Sequence, residues 1–182
     1  MSKILISGYY GFANAGDEAM LTAIIESLRQ VEKNVELTVL SGNPEDTAAK
    51  HQVCSVYRFN PLGIIRAMKD SELIISGGGS LLQDVTSKRS LLYYLSIIGL
   101  GKFLGKKVML FAQGIGPIRA KWARKLTSLV CNEADLITVR DSESAAELIE
   151  MGVKPEKITV TADSVLSLNP VTKECGQYLL QE

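Results

Sequence analysis

The chain has no excess charge: twenty basic residues offset twenty acidic ones. A net charge of zero removes the broad electrostatic footprint of nucleic-acid binding, so no nucleic-acid partner is expected and any recognition of ions must be local. Histidine is nearly absent, with His51 standing alone. Cysteine is scarce: Cys54, Cys131 and Cys175 lie far apart, with no CxxC pair and no histidine at ligand spacing. That argues against a disulfide framework and against a zinc site, and no metal is expected. Met1 leads straight into KILIS, without a basic segment followed by a long apolar one. A secretory leader is therefore not expected, and the anticipated location is the cytoplasm.

Long hydrophobic runs are lacking too. One apolar stretch, SLLYYLSIIGLGKFLG at residues 90–105, is interrupted by Lys102, and its uninterrupted part is shorter than the roughly 20 residues a membrane span needs. The first reading is a helix packed on a sheet. The second is a helix touching a lipid substrate or the inner face of the plasma membrane, as a peripheral contact.

What remains is an ordinary soluble composition, 46% hydrophobic and 22% charged over 182 residues, enough for one sizeable core. Strand-like runs recur as KILIS (3–7), VELTVL (35–40), VCSVY (53–57), ELIISG (72–77), KVMLFA (107–112), DLITVR (135–140) and KITVTA (157–162). Several are continuously apolar, as strands covered on both faces are. Between them lie helical patterns. In residues 17–31, Met20, Ile24, Leu28 and Val31 share a face; PLGIIRAMKD opens on Pro61; KWARKLTSLVCNEA and SESAAELIEMG follow, the last stopped by Gly152. The alternation predicts an α/β fold, a Rossmann-like doubly wound parallel sheet over residues 1–170. Residues 171–182 read as a segment leading out of that domain.

Ligands of such sheets bind beyond the carboxyl ends of the strands. Four loops at those ends carry unusual residues. The first, GYYGFANAGDE (8–18), has Gly8, Gly11 and Gly16, which permit close approach of a ligand to the main chain. Asn14 and Asp17 read either as a helix cap and a first-turn acid or as ligand contacts. The loop is neither a Walker A motif, which would need GK[ST], nor a GxGxxG fingerprint. The second loop, ISGGGSLLQD (75–84), puts Gly77, Gly78 and Gly79 in succession, flanked by Ser80 and Asp84; backbone donors facing an anion or a sugar would explain the glycines. The third, FAQGIGPIRAK (111–121), brings Gln113 to a strand end and sets Arg119 and Lys121 at a helix start. Dipole considerations favour acids there, so the loop reads as an anion site or as solvated basic residues. In the fourth, TVRDSES (138–144), Arg140 ends a strand. Its guanidinium can fork onto a carboxylate or phosphate, or brace the fold through Asp141 or Asp163. His51 falls between a short helix and the third strand, away from these loops, and receives no catalytic role.

Taken in order, GYYGFANAGDEAML, SGGGSLLQD, QGIGP and VRDSES followed by TADSVLSL resemble the polysaccharide pyruvyl transferase family, most closely its cell-wall branch. The resemblance implies two Rossmann-like domains arranged as in GT-B glycosyltransferases, with this chain as the amino-terminal one. It implies transfer of pyruvyl from phosphoenolpyruvate to an N-acetylmannosamine-type residue of a lipid-linked secondary cell wall polymer. The 4,6-ketal so formed anchors S-layer proteins. Phosphoenolpyruvate enters as donor substrate, without a cofactor, and the lipid-linked saccharide is the acceptor.

Ketal formation needs protonation of the enol carbon, attack by one sugar hydroxyl, loss of phosphate and attack by the second hydroxyl. On this reading Arg140 with Gly77, Gly78, Gly79 and Ser80 would bind the donor. Asn14, Gly16 and Gln113 would contact the acceptor, and Asp17 or Asp84 would serve as base. The resemblance assigns the proton donor to a histidine and a lysine of the second domain, so this chain alone is expected to be inactive. The alternatives are a sugar-nucleotide-dependent glycosyltransferase domain and a noncatalytic sugar-binding module.

Overall fold

Seven strands alternate with six helices in the computed structural model, which describes residues 1–85 and 87–168. The strands are β1 (Lys3–Tyr10), β2 (Glu36–Ser41), β3 (Cys54–Tyr57), β4 (Leu73–Gly77), β5 (Lys107–Gln113), β6 (Leu136–Val139) and β7 (Ile158–Val160). The helices are α1 (Ala15–Val31), α2 (Pro44–His51), α3 (Pro61–Asp70), α4 (Lys88–Phe103), α5 (Lys121–Glu133) and α6 (Ser142–Glu150). All strand pairs are parallel, in the order β3-β2-β1-β4-β5-β6-β7. The expected segment 171–182, with Cys175, lies outside the described residues.

The alternation of side chains along each strand divides the interior into two cores. On one face Ile4 and Ile6 of β1 and Leu37 and Val39 of β2 pack with Leu21, Ile24 and Ile25 of α1. On the other, Leu5, Ile74, Val108 and Ile137 pack with α3, α4, α5 and α6. Helix α4 belongs to this second core: Leu91, Tyr94, Leu95, Ile97 and Ile98 are buried, as the packed-helix reading of its apolar stretch expects. Among the described residues no helix is long and apolar enough to cross a membrane.

Helix starts follow local chemistry. Asn14, Asn43, Asn60, Ser87 and Asp141 cap α1, α2, α3, α4 and α6 by accepting backbone N–H groups, and Pro44 and Pro61 open α2 and α3. Helix α5 has no side-chain cap of its own, a point that bears on the site.

Strand β1 runs three residues past the sequence expectation. Gly8 and Tyr9 belong to the strand, not to the loop, and the pairing with β2 is irregular between Ser7 and Tyr10. Tyr10 drives the extension. Its ring is buried, its hydroxyl donates to the carbonyl of Gly77 at 2.5 Å, and a Cβ on Gly8 would collide with that ring.

The chain leaves β1 toward β2 and leaves β4 toward β5, in opposite directions along the sheet. Between these neighbours the carboxyl ends open into a crevice, the place where open α/β sheets take their ligands.

Candidate active site

The crevice holds a cavity of about 370 Å³. Tyr9 comes from the end of β1, Asn14 from the cap of α1 and Asp17 from its first turn, Ser80, Leu81 and Gln83 from the second loop, and Ser90 and Tyr94 from α4. The two glycine-bearing loops thus face each other, as their positions in the sequence suggest. A shallower concavity of about 470 Å³ lies along β3 and α3, reaching the amino ends of the strands at Lys3 and Glu36. None of its lining residues belongs to the four loops.

Asp17 is the free carboxylate of the crevice. Burial, reinforced by the neighbouring charge of Glu18, raises its pKa above the usual carboxylate range. Such a group takes up a proton more readily than a solvated aspartate, as a general base requires. Asn14 combines both readings of its position: its Oδ1 accepts from Gly16 N at 3.0 Å and Asp17 N at 3.2 Å, and the residue still lines the cavity.

Asp84 lies elsewhere. Its oxygens accept from the N–H groups of Arg119, at 3.0 Å each, and of Ala120 at 2.9 Å. These backbone hydrogen bonds hold its pKa below the usual carboxylate range. Asp84 therefore caps α5 from a distant loop and neutralises the dipole that Arg119 and Lys121 leave unmet. The anion that the basic helix start calls for is a carboxylate of the chain itself. Among the described residues that line the cavity, Asp17 is the one carboxylate.

The second loop is spaced by its glycines more than it is opened by them. Gly77, Gly78 and Gly79 are buried; Gly79 N donates to Met20 Sδ at 2.8 Å, and Gly79 O accepts from Gly114 N at 3.1 Å. Side chains at Gly78 and Gly79, whose φ values are +79° and +70°, would press on Tyr10, Met20 and Asp17. Gln113 sits beneath this loop, fully buried, its amide donating to the Ser76 carbonyl at 3.0 Å and hydroxyl at 2.9 Å. It does not line the crevice.

Arg140 adjoins the crevice through Ser80, whose Oγ accepts from Nη2 at 3.2 Å. Nη1 lies 3.1 Å from Asp163 and Nε 3.4 Å from Asp141. Hydrogen bonds from Ser144, followed by the Arg140 charge, hold the Asp141 pKa below its usual range despite partial burial. Gly114 makes this arrangement fit, since a Cβ there would lie 2.8 Å from Arg140 Cζ and 2.6 Å from Ser80 Oγ. His51 is nearer the first loop than expected: Nε2 lies 3.4 Å from Glu18, whose other oxygen accepts from Gly11 N at 2.8 Å. It does not reach the cavity.

A profile of the polysaccharide pyruvyl transferase family matches residues 14–174 of the 182. The chain belongs to this family. No curated protein matches the sequence significantly. Among solved structures, HepE from Anabaena in complex with UDP-glucose superposes with a TM-score of 0.63 at 14% identity, over 90% of this chain and 44% of that one. A UDP-GlcNAc 2-epimerase from Neisseria meningitidis bound to UDP-GlcNAc gives 0.55 at 13% identity, over 91% and 47%. A glycosyltransferase from Rickettsia africae gives 0.57 at 11%, over 88% and 42%. At these identities the likeness is one of fold, a Rossmann-like α/β domain of the kind found in GT-B glycosyltransferases and epimerases. This pyruvyl transferase family chain spans less than half the length of these three structures.

Sequence reasoning missed a residue of the same crest. Arg58 directly follows β3 and is only 4% exposed. Five rings surround its guanidinium, with Cζ 4.3 Å from the centroid of Tyr93, 5.2 Å from Phe59, 5.3 Å from Phe12, 5.4 Å from Tyr94 and 5.9 Å from Tyr9. The signal was present. Arg58, like Arg140, ends a strand run on the binding side of the sheet, and it sits between two aromatics in YRFN.

Proposed function

We propose that this chain is the amino-terminal, Rossmann-like domain, residues 1–170, of a polysaccharide pyruvyl transferase of the cell-wall type, like CsaB. In this reading the enzyme moves pyruvyl from phosphoenolpyruvate to an N-acetylmannosamine-type residue of a lipid-linked secondary cell wall polymer. The product is a 4,6-ketal that anchors S-layer proteins. The reaction uses no cofactor and runs in the cytoplasm, at the inner face of the plasma membrane.

The observation that carries the reading is Asp17, a carboxylate of raised pKa facing Ser80 across a crevice of about 370 Å³ at the switch point of the sheet. Asp17 takes the proton from the first attacking sugar hydroxyl as its oxygen bonds to the donor's central carbon, and passes it to the phosphate as that group departs. Thus freed, it takes the proton of the second hydroxyl as the ketal closes. Asn14 and Gly16 border the acceptor, and Ser80 meets the donor. Arg140, which holds Ser80, exchanges Asp163 for an oxyanion of the donor. The proton for the donor's methylene carbon comes from the second domain, so this chain alone is inactive. His51, engaged by Glu18, does not supply it.

A second reading, a sugar-nucleotide-dependent transferase, is favoured by the likeness to HepE and to the Rickettsia glycosyltransferase. One experiment separates the two. The protein with its second domain is offered phosphoenolpyruvate or UDP-sugars together with an N-acetylmannosaminyl acceptor. Phosphate release from phosphoenolpyruvate supports pyruvyl transfer, and UDP release from a UDP-sugar supports the alternative.

A further inference from the structure

We infer that Arg58 is the floor of a separate oxyanion subsite, continuous with the crevice and closed by the Tyr9–Phe12 pair. The inference deepens the reading above and rests on it only for the identity of the ligand.

A guanidinium cannot give up its proton at any ordinary pH, and burying it without a counter-charge is costly. Arg58 is 4% exposed, yet among the described residues no carboxylate lies within 4.0 Å of it. Its one side-chain hydrogen bond is a long one, 3.4 Å from Nη2 to Tyr94 Oη. Among the described residues Nε and Nη1 are buried without a partner, and so is the hydroxyl of Tyr93 in the same cage. Burial keeps the phenols of Tyr93 and Tyr94 neutral, so neither supplies negative charge. Cation–π attraction offsets part of the cost, but it leaves the donors in the guanidinium plane unmet. Unsatisfied buried donors of this kind are rare in folded proteins and mark ligand sites when they cluster on a binding crest.

The cage has a rigid side and a side that can open. Tyr94 is buried, whereas Tyr9 and Phe12 are 40% and 42% exposed and stack on each other with centroids 4.4 Å apart. Tyr9 and Tyr94 also line the cavity that contains Asp17. Displacement of the Tyr9–Phe12 stack would therefore join Arg58 to the crevice. The ligand class is a tetrahedral oxyanion carried by a small molecule, either the phosphate of the donor or a diphosphate of the acceptor. Both suit a planar donor set with aromatic walls.

The test follows the Arg58 Nε–Hε resonance of the 15N-labelled chain, assigned through its own side-chain carbons, so that no substitution is needed. Inorganic phosphate, phosphoenolpyruvate and pyrophosphate are titrated at constant ionic strength, with chloride as control. A saturable shift of this resonance with any of the three, absent with chloride, is expected. Response to phosphoenolpyruvate but not pyrophosphate identifies the donor, and the reverse identifies the acceptor. Arg58→Met should weaken binding of inorganic phosphate, read by calorimetry, about tenfold or more, while Arg140→Met leaves the Arg58 response to inorganic phosphate in place. An unmoved Arg58 resonance with all three anions, or binding of inorganic phosphate abolished by Arg140→Met and kept in Arg58→Met, overturns the subsite. A subsite that responds in a protein that never transfers pyruvyl leaves this inference standing and removes the reaction.

Discussion

Asp17 Oδ1 lies 3.0 Å from the point where Gly79 would carry a Cβ. The two sides of the crevice thus meet at Asp17 and Gly79, and the absence of a side chain on the glycine leaves room for the carboxylate. Gly79 also holds φ at +70°, so Gly79→Ala combines backbone strain with displacement of Asp17. We expect a loss of about 1–2 kcal/mol in denaturant unfolding and a larger loss of turnover in the two-domain protein. Gly99 in α4 has nothing within 4 Å of its Cβ position, and Gly99→Ala should be neutral or gain up to about 1 kcal/mol.

Asp17→Asn tests the base. Because the folded pKa is raised, the folded chain binds this proton more tightly than the unfolded chain does. Folding therefore opposes ionisation, and the penalty is absent below the ordinary carboxylate value and grows until the folded pKa is passed. The variant should match the parent in acid and be more stable at neutral pH, by about 0.5 kcal/mol or less given the exposure of the site. Its kcat should fall about 10²–10⁴-fold. A variant with unchanged stability and intact turnover would remove Asp17 from the chemistry.

Arg140 is braced by two carboxylates and also touches the crevice, so its two roles can be separated at Asp163. Asp163→Asn frees Nη1. If Arg140 takes the donor's oxyanion, the KM for phosphoenolpyruvate should fall while Tm drops slightly. If Arg140 only braces Ser80, KM and Tm should both worsen. Arg140→Lys keeps the charge but loses the fork, and should cost about 1.5–3 kcal/mol of donor recognition.

Acid unfolding should report Asp135. Partial burial opposes its ionisation, but hydrogen bonds from Lys102, Val108 N and Lys107 outweigh it and lower the pKa to about 2. A lowered folded pKa adds stability above the unfolded value that disappears as pH falls through the folded one. The contribution of Asp135 is therefore lost between about 4 and about 2. Asp135→Asn should flatten the acid limb of stability and cost about 1–2 kcal/mol at neutral pH. Asp84 has the same sign, and Asp84→Asn should lower Tm through the lost cap of α5 while Asp17 keeps its raised pKa.

The sheet was legible because each strand is a short apolar run with turn chemistry on both sides. Helix α3 spans Pro61–Asp70 as written in PLGIIRAMKD, where asparagine caps and proline starts the helix. The end of β1 was not legible: Tyr10 is held in the strand by the carbonyl of Gly77, 67 residues away in sequence. The crevice was legible at Asp17 and Ser80, since a strand end fixes where a loop emerges. The use of Asp84 as a remote cap was not, because its partners are backbone N–H groups that all residues share. Arg58 was missed for a related reason. Its surroundings come from β1, the first loop, the turn between β3 and α3, and α4, and only folding brings the five rings together.

The most direct test of the account is phosphoenolpyruvate-dependent phosphate release by the two-domain protein, measured alongside ketal formation on an N-acetylmannosaminyl acceptor. The account predicts phosphate and ketal in equal amounts, both abolished by Asp17→Asn, with UDP-sugars inert. Release of UDP from a UDP-sugar with phosphoenolpyruvate untouched would contradict it.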